Sequence, residues 1–326
     1  MLGTNSCHDK PEQNVTSDRP AFVAVDWGTS SFRGWLMTAD GNALAETRGP
    51  EGMLHCATAG FAPVLADHLA RLGGTRLGGL QDLPVLICGM AGARQGWIEA
   101  PYLHTPTRLD ALHDGAKRVD TQGDVRILPG IAQADAAAPD VMRGEETQLL
   151  GVTEPGFTGL VCIPGTHSKW IRIESGSVVS FTTYMTGELF SVITQHSILK
   201  HAVDHDAPSP AANEAFRDGL QRAIDAPIGL TASLFSLRAA QLLGFQQQAD
   251  GAARLSGLLI GTEIADAGSR YGTQHPVRLI GADALKDLYA AALAAAGFEV
   301  AIVDAERASQ HGLTRAAIHL WGAQFT

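Results

Sequence analysis

The stretch AFVAVDWGTSSFRGWLMT (21–38) decides the fold, because its three parts return later in the chain in the same order. AFVAVD (21–26) is a short apolar run that reads as a strand, WGTSS is a loop, and FRGWLMT (32–38) is a second strand. Asp40-Gly41 is a hairpin signal, after which NALAETR supplies a third strand. The pattern recurs in GLVCIP (159–164), the loop GTHS, the strand KWIRIE (169–174), a Ser175-Gly176 turn and the returning SVVSFTT. Hairpins alone are common. The same Gly/Thr/Ser loop at the same point in both units makes a duplicated architecture the better explanation.

Two further strands are expected at PVLICGM (84–90) and VRILPG (125–130), with helices at 61–73 and 144–151. Beyond the second unit the chain becomes helix-rich, with helices expected at 187–199, 212–224, 231–245 and 250–268. Strand VRLIGA (277–282) leads into an alanine-rich helix over 283–296, and strand FEVAIVD (298–304) precedes a final helix over 309–323. The reading is α/β, in two lobes. Residues 1–20 form a polar leader expected to be disordered, 21–152 an N-terminal lobe and 153–326 a C-terminal lobe. The GVTEPGFTG linker joins the lobes, and the final helix is expected to pack back toward the first.

The 326 residues are 45% hydrophobic, enough for a sizeable core, and the formal charge of -10 argues against nucleic-acid or anionic-membrane partners. An anionic substrate therefore needs a locally positive pocket. The four cysteines, Cys7, Cys56, Cys88 and Cys162, are scattered without CxxC spacing, which fits a reducing compartment. Neither a signal peptide nor a membrane-spanning run is visible, and a cytoplasmic location is expected. The sequence leaves the oligomeric state open, a homodimer included.

In the first loop Asp26 ends a strand, Gly28 permits a tight turn, and Thr29, Ser30 and Ser31 offer hydroxyls and backbone N–H groups. Such a loop can wrap phosphate oxygens while the carboxylate holds Mg²⁺ through water; a polar hairpin with Asp and Ser serving turn geometry is the other reading. Gly165, Thr166, His167 and Ser168 form the second loop, and Lys169 adds a positive charge for a γ-phosphate or a substrate carboxylate. No second histidine lies at ligand spacing, so His167 reads as a hydrogen-bonding or substrate-contacting group.

DVMRGEETQLLG (140–151) opens a short helix whose first turn carries Glu145 and Glu146. Complementing the helix dipole explains acids there; so does a general base whose carboxylate that dipole keeps ionised. GMAGARQGW (89–97) offers Arg94 and Trp97, and TYMTGEL (183–189) offers Glu188, for a polar substrate pocket in which Arg94 pairs with a carboxylate. LSGLLIGTEIADA (255–267) and the turn at Gly281 and Ala282 are rich in small residues, which suits either a flat purine or close helix packing.

Together these pieces resemble the superfamily of hexokinase, actin and the chaperone ATPases, and within it the 2-dehydro-3-deoxygalactonokinase family. The strings that carry the resemblance are DWGTSSFRGWL, GMAGARQGW with APYL, DVMRGEETQLLG, PGTHSKW, MTGEL and LSGLLIGTE, spread over most of the chain. The resemblance implies a two-lobed actin-like ATPase fold, ribonuclease H-like and duplicated, with substrate and nucleotide in the interlobe cleft. It implies ATP and Mg²⁺ as cofactors and phosphorylation of 2-dehydro-3-deoxy-D-galactonate at its terminal 6-hydroxyl in galactonate catabolism. By the same resemblance Asp26 is the Mg²⁺-linked acid, Gly28 to Ser31 and Gly165 to Ser168 are the phosphate loops, and Gly281 with Ala282 is the adenosine turn. Relatives place an Asp at the start of the connecting helix. Here Glu145 or Glu146 stands there, Glu145 being favoured and Asp140 the outsider. Competing readings are a kinase for the gluco epimer, a phosphohydrolase of the same superfamily, and a non-catalytic nucleotide switch.

Overall fold

The computed structural model describes residues 19–73, 80–203, 213–226 and 229–325. Residues 1–18 of the expected leader, and residue 212 of one expected helix, lie outside them. The first unit forms β1 (Pro20–Trp27), β2 (Phe32–Thr38) and β3 (Ala43–Gly49), then α1 (Met53–Ala59), α2 (Phe61–Gly73) and β4 (Val85–Gly89). After these come the short strands β5 (Tyr102–His104), β6 (Thr107–Arg108), β7 (Lys117–Arg118), β8 (Val125–Ile127), β9 (Gly130–Gln133) and β10 (Asp140–Met142), and helix α3 (Glu145–Val152). The second unit is β11 (Gly159–Ile163), β12 (Ser168–Glu174) and β13 (Ser177–Tyr184), followed by α4 (Thr186–His196), α5 (Glu214–Asp225), α6 (Leu230–Leu242) and α7 (Gly251–Tyr271). Strand β14 (Val277–Gly281), α8 (Asp283–Ala295), β15 (Val300–Asp304) and α9 (Ala305–Trp321) complete the chain.

Sheet topology carries the duplication. The first sheet runs β3-β2-β1-β4-β8-β7 and the second β15-β14-β11-β12-β13-β6. In each, three strands pair antiparallel in hairpin order, and two more add in parallel beside the first strand of the unit. Parallel additions need crossover connections, which helices provide except between β4 and β8, where the segment carrying β5, β6 and β7 does so. This is the ribonuclease H-like unit twice over, the two-lobed fold expected. The edge strand β6 belongs to the first half of the chain yet pairs with β13 of the second sheet, so the sequence boundary between lobes is not a clean spatial cut.

Strand β1 lies in the middle of its sheet, with Phe22, Val23, Ala24 and Val25 fully buried. Its alternate residues enter two cores. Val23, Val25 and Trp27 meet Leu65 and Phe61 of α2, whereas Phe22 and Ala24 face a layer containing Leu149 and Leu150 of α3, Leu313 of α9, and Val161 and Ile171 of the second sheet. Helices α3 and α9 therefore fill the space between the sheets. Their backbones touch: a Cβ on Gly151 would collide with the Ala308 carbonyl, and one on Gly312 with the Thr147 carbonyl. A third core lies outside the second sheet, where α5, α7 and α8 cover Leu160, Cys162 and Leu279.

Several boundaries differ from expectation. VRILPG divides into β8 and β9, because Leu128-Pro129 ends the first pairing and Gly130 starts a small sheet of order β10-β9-β5. The final helix begins at Ala305, earlier than 309, since Asp304 caps it by accepting from the Arg307 N–H. Helix α1 was not anticipated. Its first N–H groups donate to the Gly28 and Thr29 carbonyls, so tertiary contact with the first loop supports it. Among the described residues no helix is long and apolar enough to cross a membrane.

Candidate active site

The ends of β1 and β11, with the loops that follow, converge on the start of α3. Asp26 and Trp27 lie beside Cys88 and Gly89 of the parallel strand β4. Gly89 has φ +90°, and a Cβ there would sit 2.6 Å from the Trp27 carbonyl. Gly144, with φ +109°, passes directly against the Gly89 Cα. Only glycine fits this crossing without strain. It brings the first turn of α3, carrying Glu145 and Glu146, next to Asp26.

The two glutamates are in different states. Glu146 is fully buried, one oxygen accepting from the Gly144 N–H at 2.7 Å and the other from the Thr147 hydroxyl at 3.0 Å. Burial, assisted by the neighbouring Glu145 charge, pushes its carboxyl up to about 8. At Glu146 the loss of water outweighs the hydrogen bonds; the carboxylate favoured as the base from sequence is its neighbour Glu145. Glu145 keeps access to the cleft, accepts from the Arg143 N–H at 3.0 Å, and lies 3.5 Å from Lys169 Nζ. Lys169 is itself buried on β12, so this ion pair crosses from one sheet to the other helix.

Burial also raises the Asp26 carboxyl; Arg33 and a hydrogen bond from Ser309 oppose the rise, while Glu145 and Glu306 add to it. Ser309 belongs to α9 and reaches Asp26 at 3.4 Å while accepting from Gln148 of α3 at 3.3 Å. Cys88, lodged among Asp26, Glu146 and Thr147, is held a neutral thiol mainly by burial. Asp26 therefore sits near a second carboxylate, Glu145, with Arg33 acting on it from the other side. Among the described residues no cluster of three His, Cys, Asp or Glu side chains is placed to hold a metal. A single carboxylate suits Mg²⁺, which keeps several waters and takes phosphate oxygens. Asp26 fits that role.

Thr29, Ser30 and Ser31 are exposed in the first loop, and Thr166 and His167 in the second. The loops are braced alike, α1 hanging from the Gly28 and Thr29 carbonyls and α4 donating the Glu188 N–H to the Thr166 carbonyl. Ser168 departs from expectation. Its side chain is fully buried and donates to Glu263 at 2.6 Å, so its hydroxyl turns away from the cleft. His167 Nε2 and Glu188 Oε2 pair at 2.5 Å, making Glu188 a partner of the second loop.

Beside the second loop, Gly165, Thr186, Phe190, Ser256, Ala284, Leu285 and Tyr289 enclose a cavity of about 220 Å³. It is chiefly apolar. Gly281 and Ala282 form the turn into α8 but do not line it; Ala284 and Leu285, one step further, do. Arg94 is exposed at its loop, whereas Trp97 stacks on Phe61 and meets Trp27 edge-on, packed against the α2 core. Arg143 lies over the Tyr102 ring and donates to the Ala100 carbonyl, tying the APYL segment to the start of α3. Arg33, Arg143, Ser309 and Glu263 escaped the sequence reading. Arg33 alone had a local signal, standing two residues past the first loop.

A family model for 2-keto-3-deoxy-galactonokinase matches residues 26–316. The chain belongs to the 2-keto-3-deoxy-galactonokinase family. A Rhizobium meliloti (strain 1021) relative named "Probable 2-dehydro-3-deoxygalactonokinase DgoK1" is 48% identical over 303 residues, 92% of this chain and 97% of the relative. The Escherichia coli (strain K12) 2-dehydro-3-deoxygalactonokinase is 32% identical over 292 residues, 90% of this chain and 96% of that protein. A crystal structure of a Sinorhizobium meliloti protein assigned to the same activity superposes with a TM-score of 0.86 at 48% identity, covering 92% of this chain and 99% of the other. The matched span holds both 2-keto-3-deoxy-galactonokinase loops, the glutamates and α9 up to Ala316.

Proposed function

We propose that the protein transfers the γ-phosphoryl group of ATP to the terminal 6-hydroxyl of 2-dehydro-3-deoxy-D-galactonate. What supports this is the meeting of Asp26 and the Lys169–Glu145 pair at the start of α3, each beside an exposed Thr/Ser- or Thr/His-bearing loop, in a chain of the 2-keto-3-deoxy-galactonokinase family.

The loop residues Gly28 to Ser31 receive phosphate oxygens from one side, and Gly165, Thr166 and His167 from the other. Asp26 would hold Mg²⁺, which when bound neutralises charge on the β- and γ-phosphates. The apolar cavity by Leu285 takes the adenine ring. Glu145 accepts the proton of the 6-hydroxyl as that oxygen bonds to phosphorus and the bond to the ADP oxygen breaks. Glu146, protonated and buried, supports the turn and does not take the proton. Lys169, which neutralises Glu145 in the resting cleft, moves its charge toward the incoming phosphoryl group or the substrate carboxylate. Arg94 and Arg33 supply the remaining positive charge for the sugar acid. Closure of the cleft excludes water, the competing acceptor. Three buried free thiols, Cys56, Cys88 and Cys162, support a reducing, cytoplasmic setting.

The test is ADP release with Mg·ATP and 2-dehydro-3-deoxy-D-galactonate. Turnover strictly dependent on the acid is expected; ADP release unaffected by it would overturn the reading.

A further inference from the structure

Helix α7 carries an acidic group that the chemistry above does not use. Glu263 is 2% exposed, and its two oxygens accept four hydrogen bonds. Ser168 Oγ and Trp170 Nε1 donate to one oxygen at 2.6 and 2.8 Å; Thr186 Oγ1 and Tyr289 Oη donate to the other at 2.5 and 2.6 Å. Four donors fill the four lone-pair positions of a carboxylate. Among the described residues neither oxygen has a Lys or Arg partner. A buried carboxylate without a cation is a costly way to join helices, and an apolar contact would serve packing better.

Its partners are what make the group informative. Ser168 ends the second loop, Thr186 opens α4, and Tyr289 stands on α8, while Thr186 and Tyr289 also line the apolar cavity. One carboxylate therefore spans the loop assigned to the phosphates and two walls of the cavity assigned to the base. We propose that Glu263 is a positioning residue for the nucleotide, fixing the phosphate loop and the base cavity as one unit so that ATP meets both in register. The same hydrogen bonds turn the Thr186 and Tyr289 hydroxyls toward Glu263. The proposal rests on the assignment of that cavity to the nucleotide base.

Steady-state kinetics of three variants test it. Glu263→Gln keeps the shape but puts an amide NH2 where one acceptor oxygen stood, so the hydroxyls on that side must accept and turn their own protons elsewhere. The expected result is a KM for ATP raised about tenfold or more, with KM for the sugar acid at saturating ATP changed much less. A role limited to stability would instead lower the active fraction, reducing kcat with KM for ATP unchanged, and that result overturns the proposal. Leu285→Trp, at the cavity rim, checks the underlying assignment. If it leaves KM for ATP unchanged, the cavity does not take the base and the proposal falls with it. If it raises KM for ATP while Glu263→Gln does not, the assignment stands and the proposal alone is wrong. Should Glu263→Gln fail to fold, Thr186→Val and Tyr289→Phe each remove one donor. Each is expected to raise KM for ATP severalfold, and unchanged KM in both would contradict the proposal.

Discussion

Lys169 Nζ lies 3.5 Å from Glu145 Oε1, joining a strand of the second sheet to the helix that begins beside the first. With its side chain 6% exposed, Lys169 is shielded from the screening that makes most surface ion pairs weak. Removing Lys169 leaves Glu145 without its cation, but at a side chain 24% exposed and so still partly hydrated. Lys169→Met should therefore lower kcat/KM for the sugar acid by about a hundredfold or more, with a smaller effect on stability. Kinetics and a melting curve on the same preparation check this.

The state of Glu146 gives a pH signature in stability. Its folded value of about 8 lies above that of an unfolded glutamate, so the folded protein binds the proton more tightly. Stability from this group is complete below the unfolded value and is lost as pH rises through the folded one. The slope is at most about 1.4 kcal/mol per pH unit between those limits. Glu146→Gln removes the dependence. It should raise the melting temperature relative to the parent at pH 8 and by far less at pH 5. An equal difference at both values would contradict the assignment.

Gly89→Ala should be among the most damaging single-methyl changes in the chain. The added carbon meets the Trp27 carbonyl, and φ +90° is strained for alanine. A loss of about 2–4 kcal/mol in denaturant unfolding is expected, with activity falling because the α3 turn shifts from Asp26.

Asp26→Asn keeps the hydrogen bond from Ser309 while removing the charge. It should cut kcat by about a thousandfold and weaken dependence on Mg²⁺ concentration, leaving metal-free nucleotide binding nearly intact. Activity titrations with Mg²⁺ and equilibrium binding of ATP in chelator separate the two effects.

The repeated strand–loop–strand units were legible because hairpin signals and alternating burial are local properties of the chain. Asp26, Glu145 and the exposed hydroxyls of both loops were legible for the same reason, each standing at the end of a strand or the start of a helix. What could not be read was long-range. Ser309 reaches Asp26 from the far end of the sequence, and Glu263 collects donors from β12, α4 and α8. Burial was misjudged in the same way. Ser168 looks like its neighbours Thr166 and His167 in sequence, yet β12 turns it inward. Trp97 sits in a polar, glycine-rich string, but the aromatic faces of Phe61 and Trp27 take it into the core edge.

Glu145, and not its buried neighbour, is the residue proposed to accept the substrate proton. The most direct test is kcat for 2-dehydro-3-deoxy-D-galactonate phosphorylation in Glu145→Gln beside Glu146→Gln, both at saturating Mg·ATP. A loss of about a thousandfold or more is expected for Glu145→Gln, and of less than about tenfold for Glu146→Gln. A severe loss in Glu146→Gln with Glu145→Gln near the parent rate would contradict the proposal.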